Sequence, residues 1–208
     1  MSTIDRLTEY FERFPGIGPR QARRFVFHLL TEPKAEVERL ASLISSVKDS
    51  VYECPRCFRF HTNNDPKFLC EVCADTTRDT SLLMIVERDS DIRSIEKSGV
   101  YRGYFFVLGG TVPLMNDADT KRLRGGALKA IVEERLAEGL SEVILAFSVN
   151  PDGENTARYV ESLLAPLVDA QKLSISILGR GLSTGSELEY ADPETVKNAL
   201  KNRARVSE

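Results

Sequence analysis

The sequence predicts a multi-domain α/β protein. It comprises an N-terminal helical unit, a small cysteine-bearing ribbon, a parallel sheet with flanking helices and a short C-terminal helical segment. Apolar residues recur at helical spacing in the N-terminal quarter, all four cysteines lie between positions 54 and 73, and apolar runs alternate with helical segments from position 81 onwards. Such alternation is typical of a parallel sheet covered by helices. We expect domains at 1–53, 54–78, 79–178 and 179–208.

Composition limits the class of protein. With 208 residues, of which 42% are hydrophobic, the chain can bury one good core and a smaller satellite unit. It lacks an apolar run of about 18 residues, the length that a membrane span needs, and its N-terminus has no hydrophobic signal core. The formal net charge of −3 means that any binding to nucleic acid must depend on a local basic patch.

The N-terminal unit is expected to contain three helices. Apolar residues from Ile4 to Phe14 mark the first, and Pro19, which suits a first helical turn, begins the second. A turn over Pro15-Gly16-Ile17-Gly18 joins them, with two glycines able to adopt positive φ. The third helix is predicted from Lys34 to about Asp49, with these side chains facing inward: Val37, Leu40, Ala41, Ile44 and Val47.

The glycine turn indicates a helix-hairpin-helix that binds a nucleic-acid backbone. Glycines let backbone N–H groups approach a phosphate closely, and the N-terminus of the next helix adds a favourable dipole. No acid occurs between Glu12 and Glu32, and Arg20 and Arg24 share one helix face. Nothing resembles a base-reading set, so binding should be independent of sequence. The alternative is an ordinary αα-turn with solvated arginines. The candidate DNA-binding residues are Gly16, Gly18, Arg20, Arg23 and Arg24.

The four cysteines form two CxxC pairs separated by twelve residues. Each pair can place two thiolates on one side of a tight turn, and a short loop can bring the pairs together around a tetrahedral ion. Disulfides or redox-active thiols are the alternative, but they suit a small secreted domain or a single CxxC. We therefore predict one structural Zn²⁺, in a reducing cytoplasm, on the ligands Cys54, Cys57, Cys70 and Cys73. Four thiolates leave no open position for a substrate.

The C-terminal half predicts four strands of a parallel sheet. The continuous apolar run at 81–86 is typical of a strand buried on both faces. Further strands are predicted at 104–108, 142–147 and 173–178, and helical segments separate them. The glycine-rich segment 179–186 lacks the Lys-Ser/Thr ending of a P-loop, so we interpret it as a turn across the sheet edge. A short last helix is expected from Pro193 to Arg203.

Several acids follow the carboxyl ends of the predicted strands, where open parallel sheets bind ligands. Glu87 follows the first strand, and Asp152 and Glu154 follow the third. Together they resemble the Toprim domain, in which such carboxylates hold Mg²⁺, and they leave a Mg²⁺-dependent Toprim nuclease or primase-like enzyme as an alternative function. The other interpretation is that they are acids at helix N-termini, stabilised by the dipole and by capping backbone N–H groups.

The order of these motifs resembles the RecR family of bacterial recombination mediators over nearly the whole chain. The resemblance rests on the glycine turn, the four cysteines and five further segments: 85–87 with Asp91, 101–103, 107–110, 153–156 and 187–192.

The resemblance to RecR implies a non-enzymatic, nucleoid-associated DNA-repair protein. Such proteins form dimers or ring-like homotetramers that surround DNA, and they work with RecO and RecF to load RecA at gaps. It also implies that the hairpin arginines contact DNA, that the cysteines bind zinc, and that the Toprim acids bind partners. Those acids are Glu87, Asp91, Asp152 and Glu154.

Overall fold

The computed structural model describes residues 1–62, 68–114, 123–171, 173–185 and 187–203. The chain divides into two compact units, Met1–Tyr52 and Glu53–Glu208. The finer predicted boundaries at 78/79 and 178/179 stay predictions. Ser186 of the predicted glycine-rich turn lies outside the described residues.

The first unit contains the three predicted helices: α1 (Thr3–Glu12), α2 (Pro19–Thr31) and α3 (Lys34–Ser50). Ser2 and Asp5 cap α1 reciprocally, because the Asp5 N–H donates to Ser2 Oγ at 3.2 Å and the Ser2 N–H donates to Asp5 Oδ2 at 2.9 Å. Pro19 occupies the first turn of α2, where its missing N–H removes no helical hydrogen bond. The sequence therefore predicted all three helices correctly.

The core of the first unit is small. Ala22 and Val26 are its two buried apolar residues among those that the structure describes. The predicted inward stripe of α3 is wrong: α3 contains no buried residue, and Leu40, Ile44 and Val47 are 43%, 64% and 55% exposed. The spacing of these residues predicts a helix and an apolar face, but it does not say which element covers that face.

The second unit begins with a short ribbon. Strand β1 (Tyr52–Glu53), within which the boundary between the units falls, pairs with β2 (Phe60–His61), and the helix α4 (Glu71–Ala74) follows. Phe58 has φ +61°, in the left-handed region that a non-glycine residue rarely adopts. This conformation tightens the turn after the first cysteine pair.

A four-stranded parallel sheet forms most of the second unit. Its order is β4 (Gly103–Val107), β3 (Asp79–Val86), β5 (Glu142–Ala146) and β6 (Ser174–Ile177). The register pairs Ile85 of β3 with Phe106 on one side and Leu145 on the other. The helices of this unit are α5 (Asp89–Ser98), α6 (Gly125–Ala137), α7 (Pro151–Gln171) and α8 (Pro193–Lys201), and a 3₁₀ helix spans Leu188–Tyr190.

The core of the second unit lies on the sheet. All five residues of β4 and the last four of β3 are buried, as expected for strands covered on both faces. The four cysteines belong to the same contiguous cluster of buried side chains as these strands. In the ranges described above, no helix is both long and apolar enough to cross a membrane.

Candidate metal centre and nucleic-acid surface

The four cysteines converge as the spacing predicts. Their sulfur atoms all lie within 4.8 Å of one another, and all four residues are buried. Cys57 Sγ and Cys70 Sγ, one from each CxxC pair, are 3.4 Å apart. Soft, closely spaced sulfur ligands fit a tetrahedral metal ion, and the set is closed because each cysteine offers one ligand.

Local backbone hydrogen bonds form both halves of the cysteine centre. The Cys54 N–H donates to Arg59 O at 2.8 Å, and the Phe58 N–H donates to Cys54 O at 2.9 Å, which closes the first turn. The Cys70 N–H points at Cys54 Sγ at 3.5 Å and so links the two pairs. Since such N–H groups stabilise thiolate, the backbone is arranged for charged sulfur.

The close packing of the four thiols shifts the pKa of Cys54 and that of Cys57 in opposite directions. Hydrogen bonds from the other three cysteines, first of all Cys57, lower the pKa of Cys54, whereas the bond to Cys54 raises the pKa of Cys57. Without a cation, ionisation of one thiol therefore opposes ionisation of the next. A divalent metal removes this conflict because it stabilises all four thiolates together.

The cysteine centre is joined to the sheet. The Val107 N–H of β4 donates to Cys57 O at 2.9 Å. The ring of Phe58 packs edge-on against Phe106, with ring centroids 5.4 Å apart. The guanidinium of Arg124 lies 4.9 Å from the centre of the Phe58 ring and also pairs with Glu53 at 2.5 Å. The metal centre therefore braces β4 as well as its own turns.

The two predicted hairpin glycines differ in backbone conformation. Gly16 has φ +76°, as the turn requires, whereas Gly18 has φ −87° and is the N-cap of α2, so positive φ is needed only at Gly16. No heavy atom lies within 4 Å of where a Cβ would sit on either glycine. In residues 1–62, neither glycine N–H donates to a protein acceptor. Both therefore remain available to an external acceptor.

The predicted DNA-binding arginines lie together on α2. Arg20, Arg23 and Arg24 are exposed and, with Phe27, line a shallow cavity of about 440 Å³. The Arg23 guanidinium lies 5.8 Å from the centre of the Phe27 ring. None of the three arginines forms an ion pair within 4.0 Å among the described residues, and the nearby acid Asp5 interacts with Arg23 at longer range.

Two of the predicted sheet-edge acids, Glu87 and Asp91, accept hydrogen bonds from backbone N–H groups. Glu87 is 7% exposed, and its Oε1 accepts a hydrogen bond from the Ser148 N–H at 2.7 Å. Asp91 lies in the first turn of α5, where its Oδ2 accepts from the Arg88 N–H at 2.9 Å. Glu87 thus joins two segments at the sheet edge, and Asp91 caps the start of α5.

The other two predicted acids also have partners within the chain, one a backbone N–H and the other an arginine side chain. Asp152 Oδ1 accepts from the Leu114 N–H at 3.0 Å, and Glu154 pairs with Arg180 at 2.9 Å. Within the described ranges, the cysteines form the one group of three or more candidate metal ligands, so the four acids do not assemble a carboxylate metal site.

A cavity of about 620 Å³ opens at the carboxyl ends of β5 and β6. The backbone near Gly153, the segment after β6 around Arg180 and the first turn of α8 line it. None of the four predicted acids is among the described residues of its wall. The sheet edge therefore does have a hollow, but its polar groups differ from those that the sequence suggests.

Sequence reasoning does not single out Arg135. This residue is 1% exposed on α6 and lies 4.2 Å from the centre of the Tyr104 ring. A charged residue in a helix rich in Glu, Arg and Lys is normally solvated. A signal was present nonetheless, because Leu128, Val132 and Arg135 follow the i, i+4, i+7 spacing of a buried face.

An arginine-bearing helical hairpin, a closed four-cysteine centre and a parallel sheet with flanking helices together define a multi-domain α/β protein with a candidate metal centre. Comparisons with known families agree: residues 4–48 match the RecR helix-hairpin-helix, 81–179 the Toprim domain and 181–204 the RecR C-terminal region. The chain belongs to the RecR family.

Individual relatives show how complete the likeness is. The recombination protein RecR of Deinococcus radiodurans is 38% identical over 201 residues, which cover 97% of this chain and 86% of the relative. The proteins of that name from Roseiflexus castenholzii and Cereibacter sphaeroides are 37% and 38% identical, covering 98% and 97% of this chain and 94% and 96% of the relatives. The resemblance inferred from the motifs is thus confirmed over nearly the full length.

Proposed function

We propose that this chain is a non-enzymatic, sequence-independent DNA-binding mediator of recombinational repair in the bacterial cytoplasm, associated with the nucleoid. It acts as a homodimer or ring-like homotetramer, with RecO and RecF, to promote loading of RecA at gaps. The observation that carries the proposal is the exposed arginine surface of α2, which has no ion pair among the described residues and lies directly behind a hairpin whose glycine N–H groups have no protein acceptor there. Such a surface suits phosphates, which every DNA sequence presents.

We further propose that the metal is one structural Zn²⁺ on the four cysteines. A buried, closed set of four sulfur ligands is typical of structural zinc and leaves no position for a substrate. Metal analysis of the purified chain should find one zinc per chain, and a Cys70→Ala variant should lose it.

The sheet-edge acids are proposed to serve partner binding. Asp152 is exposed, and Asp91 and Glu154 are half-buried, so a protein partner can reach them. Their present contacts are single hydrogen bonds or ion pairs that a partner's arginine or lysine could replace. Charge reversal at Asp152 or Glu154 should weaken binding of RecO or RecF without affecting DNA binding by the chain alone.

DNA binding is tested by changing the two arginines that share a face of α2. An Arg20→Ala, Arg24→Ala double variant should bind duplex DNA more weakly at low salt. The slope of log affinity against log salt should become shallower by about 0.9 for each phosphate that the variant no longer neutralises. The matched control is Lys34→Ala with Arg39→Ala, which removes the same charge from the same unit at residues already paired with Glu38 and Glu36.

The control variant should retain the binding of the unmodified chain. Equal affinity of the Arg20, Arg24 variant and the unmodified chain, with both folded, would refute the assignment of the DNA surface. Equal weakening by the control would show that binding depends on overall charge instead.

The absence of an enzymatic reaction is proposed because each of the four acids is engaged within the chain and the four do not form a metal-ligand cluster in the described ranges. Incubation with labelled DNA and Mg²⁺ or Mn²⁺ should leave the DNA unchanged. Cleavage or synthesis that disappears in Glu87→Gln would establish the Toprim enzyme instead.

A further inference from the structure

Arg135 is a buried cation whose guanidinium has no hydrogen-bond acceptor among the described residues. Its side chain is 1% exposed, and its Nε, Nη1 and Nη2 atoms have no hydrogen-bond acceptor among the described residues. Glu138 Oε2 lies 3.9 Å from Nη1, too far for a hydrogen bond. A guanidinium is always charged, so burying one without hydrogen bonds is costly unless an opposite charge lies nearby.

The position of Arg135 links it to the second cysteine pair. Its guanidinium lies on the face of Tyr104, 4.2 Å from the ring centre. The Tyr104 hydroxyl donates to the backbone oxygen of Asp75 at 3.0 Å, two residues beyond Cys73. Glu138 connects Arg135 to the first cysteine pair, because its Oε2 lies 3.9 Å from Arg135 Nη1 while its Oε1 pairs with Arg56, which lies between Cys54 and Cys57. These contacts place Arg135 beside both cysteine pairs.

Arg56 provides a second cation at the same centre. It lies inside the first CxxC pair, its side chain is 20% exposed, and its Nε is buried without an acceptor in the described chain. It pairs with Glu134 at 3.2 Å and with Glu138. These carboxylates belong to side chains that are 57% and 39% exposed, so water screens them more than it screens Arg135.

The charge of the cysteine centre depends on its metal. Four neutral thiols carry no charge, which leaves the buried Arg135 without a full counter-charge. Four thiolates around one divalent ion carry a net charge of about −2, which the buried guanidinium of Arg135 can partly offset. The arrangement around Cys73 is thus favourable when the metal is bound and unfavourable when it is lost.

We propose that Arg135, assisted by Arg56, is the counter-charge of the metal centre and helps to retain the ion. This inference rests on the proposed zinc. Arg135 is a positioning residue: it acts on the ion through the sulfur ligands and does not contact the ion.

Zinc affinity of the full chain tests this role, measured by competition with a chromogenic chelator. Arg135→Met keeps the length and much of the apolar stem but removes the charge, and it should weaken zinc binding by about 10- to 100-fold. Arg135→Lys keeps a charge and should restore most of the affinity. The control, Arg180→Met, removes an arginine that is 28% exposed and pairs with Glu154 after β6, and it should not change zinc affinity.

The outcomes separate this inference from the proposed zinc. An unmodified chain that binds no zinc overturns both. An unmodified chain that binds zinc, with an Arg135→Met variant of equal affinity, overturns the role of Arg135 alone, as does equal weakening by Lys and Met. If Arg135→Met does not fold, Arg56→Met takes its place, and unchanged zinc affinity in that variant also overturns the proposal.

Discussion

A single carboxylate at Glu87 connects two loops at the carboxyl edge of the sheet. Glu87 follows β3, and the Ser148 N–H to which it binds follows β5. Replacing a buried acceptor leaves its donor unsatisfied, which is more costly than the loss of an exposed hydrogen bond. The acid that most suggests metal chemistry in the sequence therefore has a structural role in the fold.

Glu87→Ala should lower the free energy of unfolding by about 1–3 kcal/mol, because the Ser148 N–H loses its acceptor. Glu87→Gln should cost less, since its amide oxygen can still accept. Urea unfolding measures both, with Glu161→Ala, an exposed acid on α7, as the control, expected within about 0.5 kcal/mol of the unmodified chain. If Glu87→Ala is no worse than the control, the hydrogen bond to Ser148 does not contribute to stability.

Residues differ in how far the sequence alone reveals them. The convergence of the four cysteines could be predicted because ligand type and spacing are both local, and no other residue is needed to recognise Cys54 to Cys73. The spacing of Arg135 from Leu128 and Val132 indicates a buried face, but its contact with Tyr104 could not be predicted because the two residues are distant in sequence. The contacts of Glu87 depend in the same way on the loop after β5.

At the level of elements, close backbone packing restricts which residue can lie at the start of α7. Gly153 is buried, and a Cβ there would lie 2.9 Å from the Ser148 carbonyl carbon and 3.2 Å from its nitrogen, and closer still to the oxygen. Backbone atoms cannot move aside as the end of a flexible side chain can. The glycine between Asp152 and Glu154 is thus required by close packing of the loop on the helix.

Gly153→Ala should destabilise the chain although alanine is the better helix former. The propensity gain is at most about 1 kcal/mol, whereas a clash with fixed backbone costs about 1–3 kcal/mol. Gly126→Ala on α6 is the matched control, because no heavy atom lies within 4 Å of its Cβ position, and it should stabilise by about 0.4–1 kcal/mol. Thermal unfolding of the two variants should therefore move in opposite directions, and a shift of both in the same direction would contradict the packing argument.

The helices and strands could be predicted where the sequence pattern that identifies them lies within the element itself. Apolar runs and periodicity located the four strands of the sheet and the principal helices, because each element needs a buried face of its own. What covers a face is not a local property. The α3 stripe has helical spacing yet stays exposed in this chain, and Gly18 has ordinary φ because it caps α2 and leaves the sharp turn to Gly16.

At the scale of the whole molecule, the two units have very different cores. Met1–Tyr52 buries Ala22 and Val26, whereas Glu53–Glu208 has a large cluster that includes both the strands and the four cysteines. The Cys57–Val107 hydrogen bond and the Phe58–Phe106 ring packing join the metal centre to β4. The ribbon and the sheet are therefore expected to respond together to loss of the metal.

Removing the metal should destabilise the sheet as well as the ribbon. Structural zinc contributes an apparent free energy of about 10–16 kcal/mol in zinc-finger peptides, so part of that energy should support β4 through Cys57 and Phe58. Hydrogen exchange followed by mass spectrometry, with and without a zinc chelator, measures this peptide by peptide. Protection should fall in residues 53–62 and in Gly103–Val107, and chelator already saturated with zinc should have no effect. Loss of protection that stops at Ala74 would show that the ribbon unfolds alone and that the sheet does not depend on the metal.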